Sequence, residues 1–277
     1  FFGRGIVKTL EDFGSQGAPP THPRLLDWLA VDFRESGWDV KALVKSIVTS
    51  STYRQDSLVN QTHLQQDPEN IWLARASRLR LPAETLRDQA LAVSGLLNGT
   101  IGGPSVKPYQ PEGLWKEIAS QAYDQGTGED LYRRGMYTFW KRTVPPPTMV
   151  TFDASSREIC VLSRSRTNTP LQALALLNEV SYVEAARNLA QQMMLQHDEV
   201  QQRLRWGWRQ VTGREPTPFE LEVINRALQR NMKRYQADLQ AARGLIGFGE
   251  SVPDETLKVD ELAAYTAVAS MLMNLDE

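Results

Sequence analysis

Cysteine and net charge are both scarce in this sequence. The chain has 277 residues and a single cysteine, Cys160, so no internal disulfide can form and cysteine usage does not identify the compartment. Its 31 Lys and Arg side chains balance 33 Asp and Glu side chains to a formal net charge of −2, which argues against nucleic-acid binding. No apolar run reaches the roughly 20 residues of a membrane-spanning helix. With 41% hydrophobic residues, the composition is typical of a globular protein.

The common catalytic and metal-binding motifs are also absent. The sequence contains no Gly-x-Ser-x-Gly, no Walker-type phosphate loop and no His-Glu-x-x-His. Its three histidines, His22, His63 and His197, are far apart and have no cysteine partners, so we expect neither a metal site nor a cofactor in this chain. Cys160 stands among Ile, Val and Leu, a setting that favours a buried structural thiol over a nucleophile.

Hydrophobic periodicity and helix start signals predict a mainly α, multi-helix fold. We expect helices to begin at Pro23, Asp39, Asp67-Pro68-Glu69, Pro82 and the capping boxes Thr169-Pro170-Leu171-Gln172 and Thr217-Pro218-Phe219-Glu220, with a last helix over 261–275. The helix that begins at Pro82 should run to about Leu97, where Asn98-Gly99 follows.

The middle of the chain departs from this helical pattern. Residues 136–143 and 158–162 are rich in β-branched and aromatic side chains, so we expect a small β element at about residues 131–164. We expect one large helical domain over 1–277. It can be subdivided into a helical half (1–100), an irregular or β-containing middle (101–168) and a second helical half (169–277).

The glycine-rich opening loop is the first candidate site. Its glycines let backbone and side chains approach a ligand closely, and Arg4, Asp12 and His22 add charged and titratable groups. Asp12 could act as a base or accept a bond from a sugar hydroxyl, and His22 could carry a proton. Taken singly, these residues favour a structural explanation, in which Thr21 caps the next helix and Asp12 satisfies loop amides.

The segment 132–168 is the second candidate site, because it is locally basic and rich in aromatic residues. Arginine suits sulfate, phosphate or carboxylate groups and aromatic faces suit sugar rings, which makes Trp140 and Arg142 candidates for ligand binding. Arg166 and Asn168 precede a capped helix start, where free N–H groups also favour anions. Pairing of these arginines with acids elsewhere, and stacking on core aromatics, explains the same residues equally well.

A third basic and aromatic cluster lies at residues 203–209. At helical spacing, Leu204, Trp208 and Val211 predict an apolar stripe with solvated arginines on the opposite side. The cluster therefore gives no support to a nucleic-acid partner.

A series of short motifs, spread over most of the chain, carries a family resemblance. The motifs are Phe2-Gly3-Arg4-Gly5, Glu11-Asp12-Phe13-Gly14, Pro20-Thr21-His22-Pro23, Leu26-Asp27-Trp28-Leu29-Ala30, Gly37-Trp38-Asp39-Val40-Lys41, Ile47-Val48-Thr49-Ser50, Thr52-Tyr53-Arg54-Gln55, Asp67-Pro68-Glu69-Asn70, Arg87-Asp88-Gln89-Ala90, Gly102-Gly103-Pro104-Ser105-Val106 and the run from Arg164 to Ala173. In combination they resemble the domain of unknown function fifteen-fifty-three, which stands at the C-terminus of large planctomycete proteins.

The resemblance implies a setting rather than a reaction. Members of that family usually follow a signal peptide and a c-type haem domain, and their genes often lie near sulfatases, which implies an extracytoplasmic protein associated with sulfated polysaccharides. The chain begins at Phe1 rather than Met, so we expect a fragment or a processed form. It lacks Cys-x-x-Cys-His, so any haem would belong to a neighbouring domain.

These observations lead to one functional expectation and two alternatives. We expect a non-catalytic helical module that engages a partner domain or a sulfated glycan. The first alternative is a carbohydrate-acting enzyme, with Asp12 and His22 as acid and base and with Arg166 and Asn168 holding an anionic substituent. The second is docking of a c-type cytochrome domain through exposed aromatic residues at Tyr109 or Trp140.

Overall fold

Twelve α-helices make up most of the regular structure in the described part of the chain. The computed structural model describes residues 1–12, 14–118 and 122–275. The helices there are α1 (Pro23–Glu35), α2 (Val40–Thr49), α3 (Gln61–Gln66), α4 (Ala83–Val93), α5 (Leu114–Ile118), α6 (Pro147–Thr151), α7 (Pro170–Asn178), α8 (Val180–Gln196), α9 (Val200–Thr212), α10 (Pro218–Ala237), α11 (Leu239–Ile246) and α12 (Val259–Met273). Two short 3-10 turns, Gly128–Tyr132 and Gly135–Tyr137, lie between α5 and α6. The mainly α class is therefore confirmed.

The β element expected at residues 131–164 is reduced to isolated bridges. Within the described residues these bridges join Asn98 to Arg133, Val106 to Thr138 and Lys141 to Val144. The strand predicted over 136–143 is wrong, because its start lies in a 3-10 turn and the three prolines at 145–147 lead directly into α6. Proline has no N–H to donate to a ladder, so pairing ends there. The strand predicted over 158–162 is irregular chain.

The chain divides into two compact units. Unit 1 consists of Phe1–Arg80 and Val161–Ser163, and unit 2 consists of Leu81–Cys160 and Arg164–Glu277. Helices α1 to α3 belong to unit 1, and α4 to α12 belong to unit 2. The single domain expected from the sequence stays a prediction.

Helix α12 lies at the centre of unit 2. It packs against α8, α10 and α11, and it also contacts α7 and α9. Its buried residues face several directions, which is typical of a helix enclosed by others, and its alanines let neighbouring helices approach closely. Leu204 and Trp208 of α9 are buried in the same core, which confirms the apolar stripe predicted there.

Local capping chemistry begins several helices as the sequence indicates. The Asp39 carboxylate accepts from the Ala42 N–H at 3.0 Å. Thr169 and Thr217 both form complete capping boxes, each with the side chain three residues further on. Each cap satisfies backbone N–H groups that have no partner inside the helix.

Two expected helix boundaries are wrong. Asp67 begins no helix; it follows the end of α3, and its carboxylate accepts from the N–H groups of Ile71 and Trp72 in a turn. Helix α4 ends at Val93 rather than near residue 97, because Gly95 adopts a left-handed backbone conformation with φ of 71°.

Unit 1 contrasts with unit 2 in its burial. No residue of α1, α2 or α3 is buried. Asp67 and Arg75 are buried, whereas large apolar side chains such as Trp28 and Trp38 are exposed. Residues 1–12 and 14–22 contain no helix, in agreement with the loop expected there.

Candidate functional site

Unit 2 contains a pocket beside its helical core, lined by both polar and apolar side chains. The cavity, here called the Arg87–Glu179 pocket, has a volume of about 300 Å³. Helix α4, the segment 108–111 and the elements from α6 to α8 line it. Its polar lining consists of Arg87, Tyr109, Gln110, Gln125, Thr138, Thr148, Asn178, Glu179 and Tyr182, and its apolar lining includes Pro108, Pro111, Pro146, Pro147 and Met149.

Glu179 reaches this pocket because it links two consecutive helices. It follows the last residue of α7, and its backbone N–H donates to the Ala175 carbonyl at 2.9 Å. Its carboxylate caps α8 by accepting from the Ser181 N–H at 3.0 Å and from the Ser181 hydroxyl at 3.1 Å. The extended backbone at Glu179 thus ends one helix and begins the next.

Arg87 stands opposite, on α4. Its Nη1 donates to the Ser181 hydroxyl at 3.1 Å, and its Nη2 donates to the Leu131 carbonyl. Ser181 therefore contacts both the guanidinium of Arg87 and the carboxylate of Glu179. Because the two charged groups come from helices that are almost a hundred residues apart, tertiary packing alone brings them together.

Burial controls the ionisation of the groups in the pocket. It raises the pKa of Glu179 above its ordinary value of 4.5, although the Arg87 charge and the Ser181 hydrogen bonds oppose the change. Burial also raises the pKa of Tyr109 and of Tyr182. Both tyrosines are therefore neutral near pH 7, and Glu179 keeps its proton to a higher pH than an exposed glutamate does.

Several buried polar atoms of the pocket residues have no hydrogen-bond partner among the described residues: Arg87 Nε, Gln110 Oε1 and Thr138 Oγ1. Arg87 is only 7% exposed and Thr138 only 5% exposed. An unpaired buried donor or acceptor costs about 1–3 kcal/mol. All three atoms belong to residues that line this one cavity.

The sequence-predicted anion site lies elsewhere in unit 2. Arg166 and Asn168 are exposed and do not line the Arg87–Glu179 pocket. The Thr169–Gln172 capping box closes the start of α7. The carboxylate of Asp153 lies beside it and accepts from the Thr167 N–H at 2.7 Å. Ligand binding by Arg166 and Asn168 stays a prediction, and this neighbouring carboxylate opposes an anion.

Trp140 and Arg142 have partners within unit 2. Trp140 is half-buried against the cluster that contains Met149 and Phe152. The guanidinium of Arg157 lies 4.7 Å from the centroid of its indole. Arg142 is exposed, with its Nε 3.8 Å from Glu158. These contacts match the structural alternative, in which arginines pair with acids and stack on aromatic rings, and a ligand role for Trp140 and Arg142 stays a prediction.

Two further residues of unit 2 bear on the sequence expectations. Tyr109 is half-buried, and its hydroxyl accepts from the Glu250 N–H at 2.7 Å. With Trp140 also half-buried, neither ring provides the exposed aromatic surface that the cytochrome-docking alternative needs.

Cys160 is exposed, so the buried thiol predicted for it is wrong. Its apolar neighbours in sequence lie in an irregular loop rather than in a core strand.

In unit 1, two of the three opening-loop candidates come together. Arg4 and His22 line a second cavity of about 270 Å³, whereas Asp12 is exposed and is not among the described lining residues. The Thr21 hydroxyl donates to the Ile6 carbonyl at 3.2 Å and lies 2.9 Å from His22 Nδ1. Thr21 therefore fastens the loop instead of capping α1, and the capping role expected for it is wrong.

The sequence analysis did not predict Gln110, Thr138 and Glu179 as site residues. It included Arg87 only as part of a family motif. One signal pointed to Glu179: Asn178-Glu179 interrupts an apolar run that continues on both sides.

Among the described residues, no group of three or more His, Cys, Asp and Glu side chains could hold a metal ion. Of the helices described, none combines the length and the apolar character needed to cross a membrane.

The described residues thus define a mainly α protein with a pocket beside the core of unit 2. The model of the PSD1 family, protein of unknown function (DUF1553), matches residues 1–228. The match covers well over half of the chain, so the chain belongs to this family. No curated protein and no solved structure is significantly similar to it. The resemblance drawn from the motifs is confirmed, and the family description names no function.

Proposed function

We propose that this protein is a non-catalytic binding module that holds one sugar unit of a glycan in the Arg87–Glu179 pocket. The observation that carries the proposal is the cavity of about 300 Å³, whose wall combines the polar side chains of Arg87, Gln110 and Thr138 with tyrosine and proline side chains.

The chemistry of the pocket suits sugar hydroxyl groups. The guanidinium of Arg87 donates, whereas the Gln110 amide and the Thr138 hydroxyl can both donate and accept, as a sugar hydroxyl does. The rings of Tyr109 and Tyr182 and several prolines supply the apolar surface that the C–H face of a sugar contacts.

In its ionised form, Glu179 favours a neutral sugar over a sulfated one in this pocket, because its carboxylate then offsets the positive charge of Arg87. A sulfate ester entering the pocket would be repelled by that carboxylate until Glu179 takes up a proton. The sulfated glycan expected from the family setting therefore binds this pocket better as the pH falls.

The pocket favours binding over hydrolysis. Glycoside hydrolysis commonly uses two carboxyl groups on either side of the scissile bond. Glu179 is the one carboxyl side chain among the described lining residues.

Titration calorimetry with a panel of neutral and sulfated oligosaccharides tests the proposal. We expect saturable binding of at least one neutral oligosaccharide. Thr138→Val should weaken that binding by about 2- to 13-fold, because the variant loses one hydrogen bond worth about 0.5–1.5 kcal/mol. The matched control is Thr143→Val, at an exposed threonine outside the pocket. Equal affinities of both variants and the wild type, or release of new reducing ends from the bound glycan, would overturn the proposal.

We further propose that the module works outside the cytoplasm, as one domain of a larger protein that also carries a c-type cytochrome domain. Membership of the PSD1 family supports this setting. Fractionation of the cells that express this chain, with an antibody against it, tests this setting. A signal confined to the cytoplasmic fraction would contradict it.

A further inference from the structure

Helix α10 of unit 2 presents a row of basic side chains to solvent. Arg226, Arg230, Lys233 and Arg234 are all exposed. They follow one another at spacings of three and four residues, which places them on one face of a helix with 3.6 residues per turn. The buried residues of α10 lie on its opposite face, against the core. We call these four residues the α10 basic stripe.

No acidic residue interrupts the stripe. Residues 223–237 contain four Arg and Lys side chains and no Asp or Glu, although the whole chain has a formal net charge of −2. Glu222 pairs with Arg226 at the start of the stripe. Within the part of the chain that the structure describes, Arg230, Lys233 and Arg234 form no ion pair. Three positive charges therefore stay available to a partner.

The basic residues of the preceding helix, α9, are different, because the fold neutralises them. Arg203 Nη1 lies 3.1 Å from Glu261 Oε1, and Arg209 Nε lies 3.2 Å from Glu215 Oε1. On α10, by contrast, Arg230 has a like charge four residues away on each side, and such pairs oppose helix formation. A bound anion would relieve this repulsion.

The spacing of the stripe suits an extended polymer. Arg226, Arg230 and Arg234 lie about one helical turn apart, so their Cα atoms are separated by about 6 Å along the axis and span about 12 Å. A single small anion cannot contact both ends of such a row. A linear chain with repeated negative groups can contact all of it.

The surroundings of the stripe distinguish between kinds of polyanion. Tyr235 is the one aromatic residue in 224–237 and it is buried, so the bases of a nucleic acid would find no ring on which to stack. The apolar face of α10 is buried in the core, so this helix has no apolar face to insert into a membrane. The forked guanidinium of arginine matches the paired oxygens of a sulfate group.

We infer that the α10 basic stripe binds a sulfated polysaccharide, with the polymer lying along the helix. Successive sulfate groups contact the guanidinium groups of Arg230 and Arg234 and the ammonium group of Lys233. None of these residues is among the described residues that line the Arg87–Glu179 pocket. The inference therefore does not depend on glycan binding in that pocket.

Surface plasmon resonance with the full chain at pH 7 tests the inference, with dextran sulfate as the probe and dextran as the uncharged comparison. We expect saturable binding of dextran sulfate, at least about 10-fold tighter than that of dextran at low salt. Its affinity should fall as salt increases, because the bound cations displace counterions from the polymer. The triple variant Arg230→Gln/Lys233→Gln/Arg234→Gln should weaken binding at least about 10-fold. It should also lower the slope of log affinity against log salt concentration by about 2–3.

The matched control is Arg24→Gln/Lys41→Gln/Arg54→Gln, which removes the same number of positive charges from exposed positions of unit 1. Because salt screens charges outside the binding surface, the control should change the affinity by less than about 2-fold. Circular dichroism establishes that both triple variants fold.

Four outcomes would overturn the inference: no saturable binding of dextran sulfate, equal affinity for dextran and dextran sulfate, equal weakening by both triple variants, or tighter binding of a single-stranded oligonucleotide or of phosphatidylserine vesicles at the same salt concentration. Both triple variants keep every described residue of the Arg87–Glu179 pocket. Failure of neutral oligosaccharides to bind would therefore count against the pocket alone.

Discussion

The carboxylate of Glu184 lies in the space that a side chain at Gly249 would occupy. A Cβ built on Gly249 would come within 2.1 Å of Glu184 Cδ. The same carboxylate accepts from the Ser251 N–H at 2.7 Å and from the Tyr132 hydroxyl at 2.8 Å. The connection between α11 and α12 is therefore wrapped closely around one buried carboxylate of α8.

This close approach predicts a large effect of Gly249→Ala. Gly249 has a φ of 85°, so alanine adds left-handed strain to a collision with the carboxylate, and we expect a loss of about 2–4 kcal/mol in the free energy of unfolding. Gly213→Ala is the matched control, because Gly213 has a φ of 74° but no heavy atom within 4 Å of the added Cβ. That variant should lose about 1 kcal/mol in urea denaturation. Equal losses would contradict the role of Glu184.

The buried ion pair of Glu184 and Arg187 predicts that substitutions at these two residues have strongly non-additive effects on the free energy of unfolding. Both side chains are 1% exposed, with Arg187 Nη2 3.7 Å from Glu184 Oε1, and Arg187 also donates to the Ile246 carbonyl at 2.7 Å. Arg187→Met leaves the carboxylate without its counter-charge and should cost about 3–5 kcal/mol. The double variant Glu184→Gln/Arg187→Met should be more stable than Arg187→Met alone, as measured by urea denaturation. Additive losses in this double-mutant cycle would show that the pair is not coupled.

The ion pair of Glu220 with Arg214 predicts that the free energy of unfolding decreases in acid. Its bidentate pairing with Arg214, at 2.6 and 2.9 Å, is the main cause that lowers its pKa to about 2. Because the folded-state pKa lies below the ordinary value of 4.5, the stabilisation is present above pH 4.5 and is lost as the pH falls towards 2.

The variant Glu220→Gln isolates this effect, since glutamine can still complete the capping box with Thr217. It should be less stable than the wild type by about 0.5–1 kcal/mol at pH 7, with a smaller difference at pH 3. Urea denaturation at both pH values measures it, and a difference that does not shrink in acid would be evidence against the ion pair.

Glu179 predicts the opposite dependence on pH. Burial raises its folded-state pKa above 4.5, so its contribution to stability is fully present below pH 4.5 and is lost as the pH rises through the folded-state value. The stability of Glu179→Gln relative to the wild type should therefore increase with pH above 4.5. Glu255→Gln, at an exposed glutamate, controls for the loss of one negative charge. If both variants show the same pH profile, burial does not control the ionisation of Glu179.

Features set by neighbouring residues were predictable from the sequence. The caps at Asp39, Thr169 and Thr217 depend on backbone N–H groups only three residues away, so a short motif contains all the groups involved. Short motifs mislead where tertiary contacts compete. Asp67-Pro68-Glu69 has the residues of a helix start, yet Asp67 closes a turn and Arg75 Nη1 donates to its carbonyl at 3.0 Å.

No sequence pattern predicted the pocket of unit 2. Its central groups, Arg87, Thr138 and Glu179, come from three separated segments and match no common catalytic motif. The residues that the sequence favoured, such as Arg142, carry the expected charge, but charge alone does not indicate whether a side chain faces a cavity or a neighbouring acid.

The sequence by itself determined the helical class, the capped helix starts and the family, because these depend on residue order and on interactions between near neighbours. Tertiary structure alone decided which polar groups lie together. Packing of distant segments brings Arg87, Thr138 and Glu179 to the wall of one cavity, and burial there raises the pKa of the Glu179 carboxyl group.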